Sequence, residues 1–182
     1  AWLLEQNHGL QLPRALQQNF SQRVQQQTDT QGGEMTHHAL WQLFCHHYGL
    51  TQPARQLETA ESQSDERATR LRLQFTTASG TRTLNGSGNG LLSAAVSALQ
   101  QHYGRALAIE DYHEHTLGKR SDSRSVAYIC CTDANGGRAW GVGIDSDVTR
   151  ASLQALLNAA DAFLPAESSP PVRRPARDET SR

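Results

Sequence analysis

The stretch that decides the fold is TLNGSGNGLLSAAVSALQQHYG, residues 83–104, in which Gly86, Gly88 and Gly90 directly precede a helical pattern. Apolar and small side chains then recur on one helical face, namely Leu92, Ala95, Val96 and Leu99. Free N–H groups at the start of a helix attract anions, so the glycines indicate either an anion site or a tight strand-to-helix turn. No Lys-Ser/Thr pair follows, which excludes a phosphate loop. Leu91 replaces the last glycine of a dinucleotide motif.

Strand patterns lie on both sides of this turn. Before it, Leu71, Leu73 and Phe75 alternate with polar residues, and Ser79-Gly80 predicts a turn into a further short strand. After it, ALAIEDYHEHTL (106–117), SVAYICCT (125–132) and RAWGVGI (138–144) read as strands, with a hairpin turn at Asn135-Gly136.

The helix that follows, DSDVTRASLQALLNAADAFL (145–164), has Ser146 or Asp147 as its cap. Its buried stripe is expected at Leu153, Leu156, Leu157, Ala160, Phe163 and Leu164. GSGNG and GVGID occupy matching places before the two small-residue helices. The sequence therefore predicts an α+β fold with two βββα units related by an ancient duplication.

Three parts differ in composition. Residues 1–50 predict a connector of two amphipathic helices, one with Leu12, Leu16, Phe20 and Val24 and one ending near Gly49, too small for a core of its own. Residues 55–164 form the βββα domain. Residues 165–182, rich in Pro, Ser and charge, predict a disordered tail.

Bulk properties exclude several classes of function. The chain has 182 residues and a formal net charge of −1, which does not suggest nucleic-acid binding. No run of about 18 apolar residues predicts a membrane span, and no signal peptide is evident. The single methionine is Met35, so we expect a piece of a longer protein. Cys45, Cys130 and Cys131 favour buried reduced thiols in a cytoplasmic protein.

Histidines are the only other candidates for chemistry. His113 and His115 share a strand face but lack further ligands, so we expect a solvated or partner-facing pair rather than a metal site. Four more histidines crowd the second connector helix, where mostly exposed positions are expected: His37, His38, His46 and His47. No nucleophile with a matching base stands out, and no catalytic residue is assigned.

Four segments together resemble the C-terminal part of 2-isopropylmalate synthase of the longer, actinobacterial-like type. They are HGLQLPRALQQNFSQRVQ (8–25), LNGSGNGLLSAAVSAL (84–99), IEDYHEH (109–115) and WGVGIDSDVTRASLQALLNA (140–159). The resemblance implies a helical connector followed by a leucine-binding regulatory domain. The family's catalytic barrel, with its divalent metal such as Mg, its acetyl-CoA site and its 2-oxoisovalerate site, precedes these segments. This chain alone is therefore expected to be inactive and to need no cofactor.

The resemblance also implies the effector site. Matching positions are Gly88, Asn89, Gly90, Leu92, Ser93, Ile109, Tyr112, Thr116 and Val148. The leucine carboxylate would accept N–H groups of the turn, and Asp111 is a candidate for the ammonium group. Two positions depart from the family pattern, with Leu91 in place of proline and Ser93 in place of alanine.

The implied partners are L-leucine, as a feedback inhibitor, and a second copy of the chain. We expect the connector helices to carry the allosteric signal. Two alternatives stay open on the sequence. One is the regulatory domain of citramalate synthase, which would bind isoleucine. The other is a stand-alone ligand-binding dimerisation module outside biosynthesis.

Overall fold

The computed structural model of the chain describes residues 2–118 and 123–167. The elements formed by these residues follow in chain order: α1 (Trp2–His8), α2 (Arg14–Gln31), α3 (His37–His47), β1 (Gln56–Ser64), β2 (Thr69–Thr77), β3 (Gly80–Gly88), α4 (Leu91–Tyr103), β4 (Ala108–Leu117), β5 (Arg124–Thr132), β6 (Arg138–Asp145) and α5 (Val148–Ala160). Two of the expected turns, at Ser79-Gly80 and Asn135-Gly136, lie between paired strands as predicted.

Two βββα units form the body of the molecule, and the predicted α+β class is confirmed. The first sheet has the order β1-β2-β3 and the second sheet β4-β5-β6, both antiparallel. Helix α4 packs on the first sheet and α5 on the second, because the alternating apolar residues of each sheet need cover on one face. The two covered faces and both helices share one core, which we call the central core.

The duplication is visible in backbone detail. Both units carry a β-bulge near the start of their first strand, between Leu57 and Thr59 in β1 and between Ile109 and Asp111 in β4. A bulge adds one residue to one strand and shifts the following side chains to the other face. Finding the same irregularity at the same place in both units supports a common origin.

The first glycine of GSGNG, Gly86, has its structural counterpart in the second glycine of GVGID, Gly143. This is two residues further along than the alignment of the two motifs suggests. A Cβ on Gly86 would lie 2.2 Å from Ala94 O, and a Cβ on Gly143 would lie 2.1 Å from Ala151 O. Gly143, rather than Gly141, is thus the counterpart of Gly86, each standing five residues before its helix. In both units this glycine lets the helix backbone approach the third strand closely.

The connector contributes one helix more than predicted. Helix α1 was not expected, since its seven residues are too few for a clear helical period. The apolar faces of the connector pack on the outer face of the second sheet, in a cluster that includes Leu16, Phe20, Phe44, Tyr128 and Val142. This outcome agrees with the expectation that the connector has no core of its own.

Strand β5 is buried on both faces as a result. Cys130 belongs to the connector cluster and Cys131 to the central core, so the adjacent thiols point to opposite faces. Burial raises the pKa of the Cys131 thiol to about 12 and is the main cause that raises the pKa of Cys130 to about 11. All three cysteines, including Cys45, are buried and free, as predicted.

A buried arginine joins the ends of the two units. Arg55 is 2% exposed and donates to Asp161 Oδ1 at 2.6 Å, to Tyr103 Oη at 3.1 Å and to the Pro165 carbonyl at 2.5 Å. Glu167 accepts from Arg82 Nε at 2.9 Å. The first residues of the predicted tail, 165–167, are therefore held in place, and residues 168–182 lie outside the described part. The boundaries at 50, 55 and 164 stay predictions.

Helix α2, the longest helix among the described residues, is mostly polar, and no helix there is long and apolar enough to cross a bilayer.

Candidate functional site

The amino end of α4 is the first feature of the site. Gly90 is its N-cap residue, in extended conformation with φ −160°, and no side chain caps the helix. The first N–H groups of an α-helix have no partner within the helix, so they face outward with the positive end of the helix dipole. A Cβ on Gly90 would meet nothing within 4 Å, which leaves this end accessible.

The preceding glycines have a different role. A Cβ on Gly88 would lie 2.3 Å from Ser93 Oγ and 2.8 Å from Ala94 N. Gly86 and Gly88 are thus required for packing of α4 on β3, and only Gly90 opens the helix end. The tight-turn interpretation therefore holds for Gly86 and Gly88, and the anion-site interpretation stays a prediction for the open helix end at Gly90.

A cavity of about 390 Å³ lies between the amino ends of the two helices and β4. It is lined by Gly90, Leu91, Leu92, Ser93, Tyr112, Glu114, Val148, Thr149 and Ser152. We call it the helix-end cavity. Its walls combine apolar side chains with a few polar groups, the composition typical of small-molecule sites.

Tyr112 is the best-anchored polar group of this cavity. Its hydroxyl donates to Glu114 and shares a hydrogen bond of 2.7 Å with Ser152 Oγ. Val148 O, 2.8 Å from Ser152 Oγ, is the alternative acceptor for the single Ser152 hydroxyl proton. Burial, and then the bond to Glu114, raises the pKa of Tyr112 above its ordinary value, so the phenol stays neutral at physiological pH.

Five of the ten predicted site residues line the helix-end cavity: Gly90, Leu92, Ser93, Tyr112 and Val148. The other five lie around it rather than in its wall. Gly88 ends β3 and Asn89 is exposed in the turn. Ile109 packs against the central core, and Thr116 is exposed near the end of β4.

Asp111 lies on the opposite face of β4 from Tyr112. Its backbone pairs with Cys130, on the side of the connector cluster, and its Oδ1 lies 2.9 Å from His113 Nε2. The bulge at Glu110 causes this arrangement. It brings Ile109 and Tyr112, three residues apart, onto one face and leaves Asp111 on the other.

His115 also faces the connector. Its Nε2 lies 2.8 Å from Tyr128 Oη, and the Gln11 N–H donates to that hydroxyl at 3.2 Å. One strand, β4, therefore contacts the helix-end cavity on one face and the connector on the other. Within the described ranges, no group of three or more His, Cys, Asp or Glu side chains is placed to bind a metal.

Four lining residues were not among the predicted set: Leu91, Glu114, Thr149 and Ser152. The duplication indicates two of these four residues, Leu91 and Thr149, which stand at the starts of the two helices. Val148 and Thr149 begin α5 as Leu91 and Leu92 begin α4, so a site at one helix start implies a contribution from the other.

The amino end of α5 is closed by its own side chains. Asp147 is the N-cap, and its Oδ1 accepts from Thr149 N at 2.8 Å, which confirms the predicted cap. Asp145 Oδ1 accepts from Asp147 N at 2.9 Å. Two carboxylates thus fill the place that glycines leave open in the first unit.

The family comparison agrees with this architecture. A model of the LeuA allosteric (dimerisation) domain matches residues 34–164, and the chain belongs to this family of regulatory domains.

Similar proteins carry a more particular name. The chain is 41% identical over 162 residues to the 2-isopropylmalate synthase of Marinomonas sp. The aligned residues cover 87% of this chain and 29% of that relative. It is 40% identical over 164 residues to the 2-isopropylmalate synthase of Rhodospirillum rubrum, with 88% and 29% covered. The enzyme of that name in Corynebacterium glutamicum is 34% identical over 169 residues, with 90% and 27% covered. The chain thus spans less than a third of the length of these relatives.

Proposed function

We propose that this chain is the regulatory part of a cytoplasmic 2-isopropylmalate synthase and that its helix-end cavity binds L-leucine as a feedback inhibitor. The family and the named relatives support the class of protein. The observation that carries the ligand assignment is the amino end of α4, which no side chain caps and which opens into a partly apolar cavity.

The carboxylate of leucine accepts hydrogen bonds from the first N–H groups of α4. Two properties of this helix end favour a negative group: its unpaired N–H donors and the partial positive charge of the helix dipole. Gly90 presents these donors without a side chain above them. Ser93, in the same turn, adds a hydroxyl at the wall of the cavity.

The ammonium group binds Glu114, and we propose this residue in place of Asp111. Glu114 lines the cavity, whereas Asp111 lies on the connector face of β4. Tyr112 donates to the Glu114 carboxylate and so holds it in one orientation. The isobutyl side chain packs on Leu91, Leu92 and Val148, the apolar residues of the wall.

The chain acts as a homodimer in this proposal. The family is described as a dimerisation domain. Val148, at the cavity wall, is 39% exposed and is therefore available to pack against a second copy of the chain. Sedimentation of the chain should give a dimer, and a monomer at micromolar concentration would contradict this part of the proposal.

The signal passes through β4 to the connector. Binding at Tyr112 and Glu114 shifts β4, whose other face places His115 next to Tyr128 of β5 and the Gln11 N–H. A difference of about 1–3 kcal/mol in leucine affinity between two states is typical of allosteric coupling. Condensation of acetyl-CoA with 2-oxoisovalerate, and the divalent metal for it, belong to the catalytic barrel of the longer enzyme.

A thermal-shift titration tests the ligand. At 100 times its Kd, leucine should stabilise the chain by about 2.7 kcal/mol, roughly 5–10 °C in Tm. Isoleucine should give a smaller shift, and a larger one would indicate a citramalate synthase regulator instead. No shift with either amino acid would favour the stand-alone module.

Substitution of the helix-end glycine tests the site. Gly90→Val places a branched side chain above the N–H groups without a clash, so leucine affinity should fall at least tenfold in calorimetry while the fold is kept. Ser146→Val, at the matching exposed turn before α5, is the control and should bind normally. Equal affinity in both variants would place the ligand elsewhere.

A further inference from the structure

A second cavity lies between the connector and the second sheet, and none of its lining residues also lines the helix-end cavity. It has a volume of about 290 Å³, and we call it the connector cavity. Its apolar wall is formed by Leu10, Trp41, Leu50, Leu117 and Ile144. Each of these side chains also packs at the connector cluster, so the cavity is a gap within an otherwise packed interface.

One wall of the connector cavity carries a polar atom without a partner. The Nε2 atom of His8 is buried and has no hydrogen-bond partner among the described residues. The His8 ring stacks on Trp41, with 3.7 Å between ring centroids and an angle of 10° between the planes, so it has little freedom to turn away. A buried imidazole nitrogen without a partner is unfavourable unless a ligand or solvent satisfies it.

Among the described residues of this wall, Arg124 is the one that carries a full charge at neutral pH. Arg124 lines the wall at the start of β5, and it has no hydrogen bond or ion pair with any described residue. The Cys45 thiol, also in the wall, stays neutral because burial raises its pKa to about 11. No Asp or Glu of the described chain lines this cavity.

This set of groups selects a chemical class of ligand. A guanidinium that has no partner among the described residues favours a carboxylate, with which it forms two parallel hydrogen bonds. The apolar wall favours a short hydrocarbon chain, and His8 offers one further hydrogen bond. The absence of a carboxylate from the described wall disfavours an amino acid, because an ammonium group would lose its hydration without gaining a partner.

We infer that the connector cavity binds a small apolar carboxylic acid that lacks an amino group, with its carboxylate on Arg124 and its hydrocarbon chain between Trp41 and the leucines. A volume of about 290 Å³ lies at the lower end of the range for small-molecule pockets, so an acid of about six carbons is the appropriate size. This site shares no lining residue with the helix-end cavity, and its assignment does not rest on the leucine proposal.

Three compounds with one carbon skeleton test this inference. The full chain is titrated with 4-methylpentanoate, 4-methyl-2-oxopentanoate and L-leucine. Binding is followed by tryptophan fluorescence in a chain in which Trp2 and Trp140 are replaced by Phe, so that Trp41, next to the cavity, is the remaining tryptophan. The two acids should bind saturably and displace each other, and leucine should displace neither. If neither acid binds saturably, or if leucine displaces them, the inference is wrong.

Two matched variants locate the ligand. Arg124→Gln should weaken binding of both acids about tenfold or more, since a charged hydrogen bond is lost at an exposed position where folding is not at risk. Arg105→Gln removes another exposed arginine, outside this cavity, and should bind as the unsubstituted chain does. Equal affinities in the two variants would overturn the assignment.

The leucine-site variant separates the two proposals. Gly90→Val should leave the affinity for both acids unchanged, because Gly90 lines the helix-end cavity and does not line the connector cavity. Loss of acid binding in Gly90→Val would place the acids in the helix-end cavity and refute the connector site. If the unsubstituted chain binds both acids but not leucine, the leucine proposal is wrong and the connector-cavity inference is retained.

Discussion

The two βββα units have one backbone plan but different helix ends. Both have the bulged first strand and the glycine that admits the helix. At the next residues the first unit has Gly88, Asn89 and Gly90, and the second has Asp145, Ser146 and Asp147. The second unit therefore satisfies its helix end internally, while the first leaves it open. After a duplication, one copy can keep the structural role and the other can gain a ligand.

The outer faces of the two sheets differ as well. The first sheet shows an alternating pattern, with the outer side chains of β2, such as Arg70 and Arg72, exposed. The second sheet is covered by the connector, so β5 is apolar on both faces. Among the described residues, the cluster that holds the connector contains side chains of the second sheet and none of the first.

The largest loss of stability is expected at the glycine that both units place against their helix. Gly86→Val and Gly143→Val each force a side chain into helix backbone that cannot yield, with Cβ contacts of 2.2 Å and 2.1 Å. Each should lower the free energy of unfolding by about 3 kcal/mol or more, measured by urea denaturation. Ser87→Val, exposed between two glycines of β3, should change it by less than about 0.5 kcal/mol. Tolerance of one glycine substitution but not the other would show that the units are not equivalent.

A smaller loss of stability is expected at Arg55, which joins the ends of the two units. Arg55→Met removes the buried cation that holds Tyr103, at the end of α4, and Asp161, at the end of α5. Stability should fall by about 2–3 kcal/mol, because three hydrogen bonds of a buried charged group are lost. Arg72→Met, exposed on the first sheet, is the control. If both variants melt at the same temperature, Arg55 does not hold the units together.

The difference between the helix ends can be removed by one substitution. Gly90→Asp gives α4 the cap that Asp147 gives α5, so stability should rise by a few tenths of a kcal/mol. The new carboxylate competes with that of leucine, and calorimetry should show at least tenfold weaker binding. Asp147→Ala should do the reverse for stability, with a loss of about 1 kcal/mol and unchanged leucine affinity. Tight leucine binding in Gly90→Asp would contradict the proposed orientation.

The smallest effect concerns pH and the connector. Burial, followed by the charges of Arg23 and His46, lowers the pKa of His47 below its usual 6.5. The unfolded chain then binds more protons, so this contribution to stability is complete above pH 6.5 and is lost as pH falls through the folded-state pKa. Tm should drop between pH 7.5 and 5.5, and less so in His47→Gln. His38→Gln, an exposed substitution in the same helix, is the control for the loss of a histidine. If the dependence of Tm on pH is identical in His47→Gln and the unsubstituted chain, the expectation is wrong.

Much of the fold could be predicted because its signals are local. Alternation in β2, the Asn135-Gly136 turn and the Asp147 cap each depend on a few neighbouring residues. The seven-residue α1 lacks such a signal, since its helix is stabilised by packing of Leu4 in the connector cluster. Half of the predicted site residues line the helix-end cavity, including the start of α4 and Tyr112, and their role there stays a prediction. Ser152 reaches this cavity through the packing of α5 on the second sheet, which no local pattern indicates.

By itself, the sequence determined the two βββα units, the cap of α5, the apolar faces and the glycine-rich start of α4, because period and turn chemistry act over a few residues. Only the tertiary structure decided which glycines serve packing and which one opens the helix end. It also decided that a bulge at Glu110 turns Asp111 toward the connector and leaves Glu114 at the cavity. The physical reason is that a cavity is formed by surfaces distant in the chain, whose contact depends on the register and packing of whole elements.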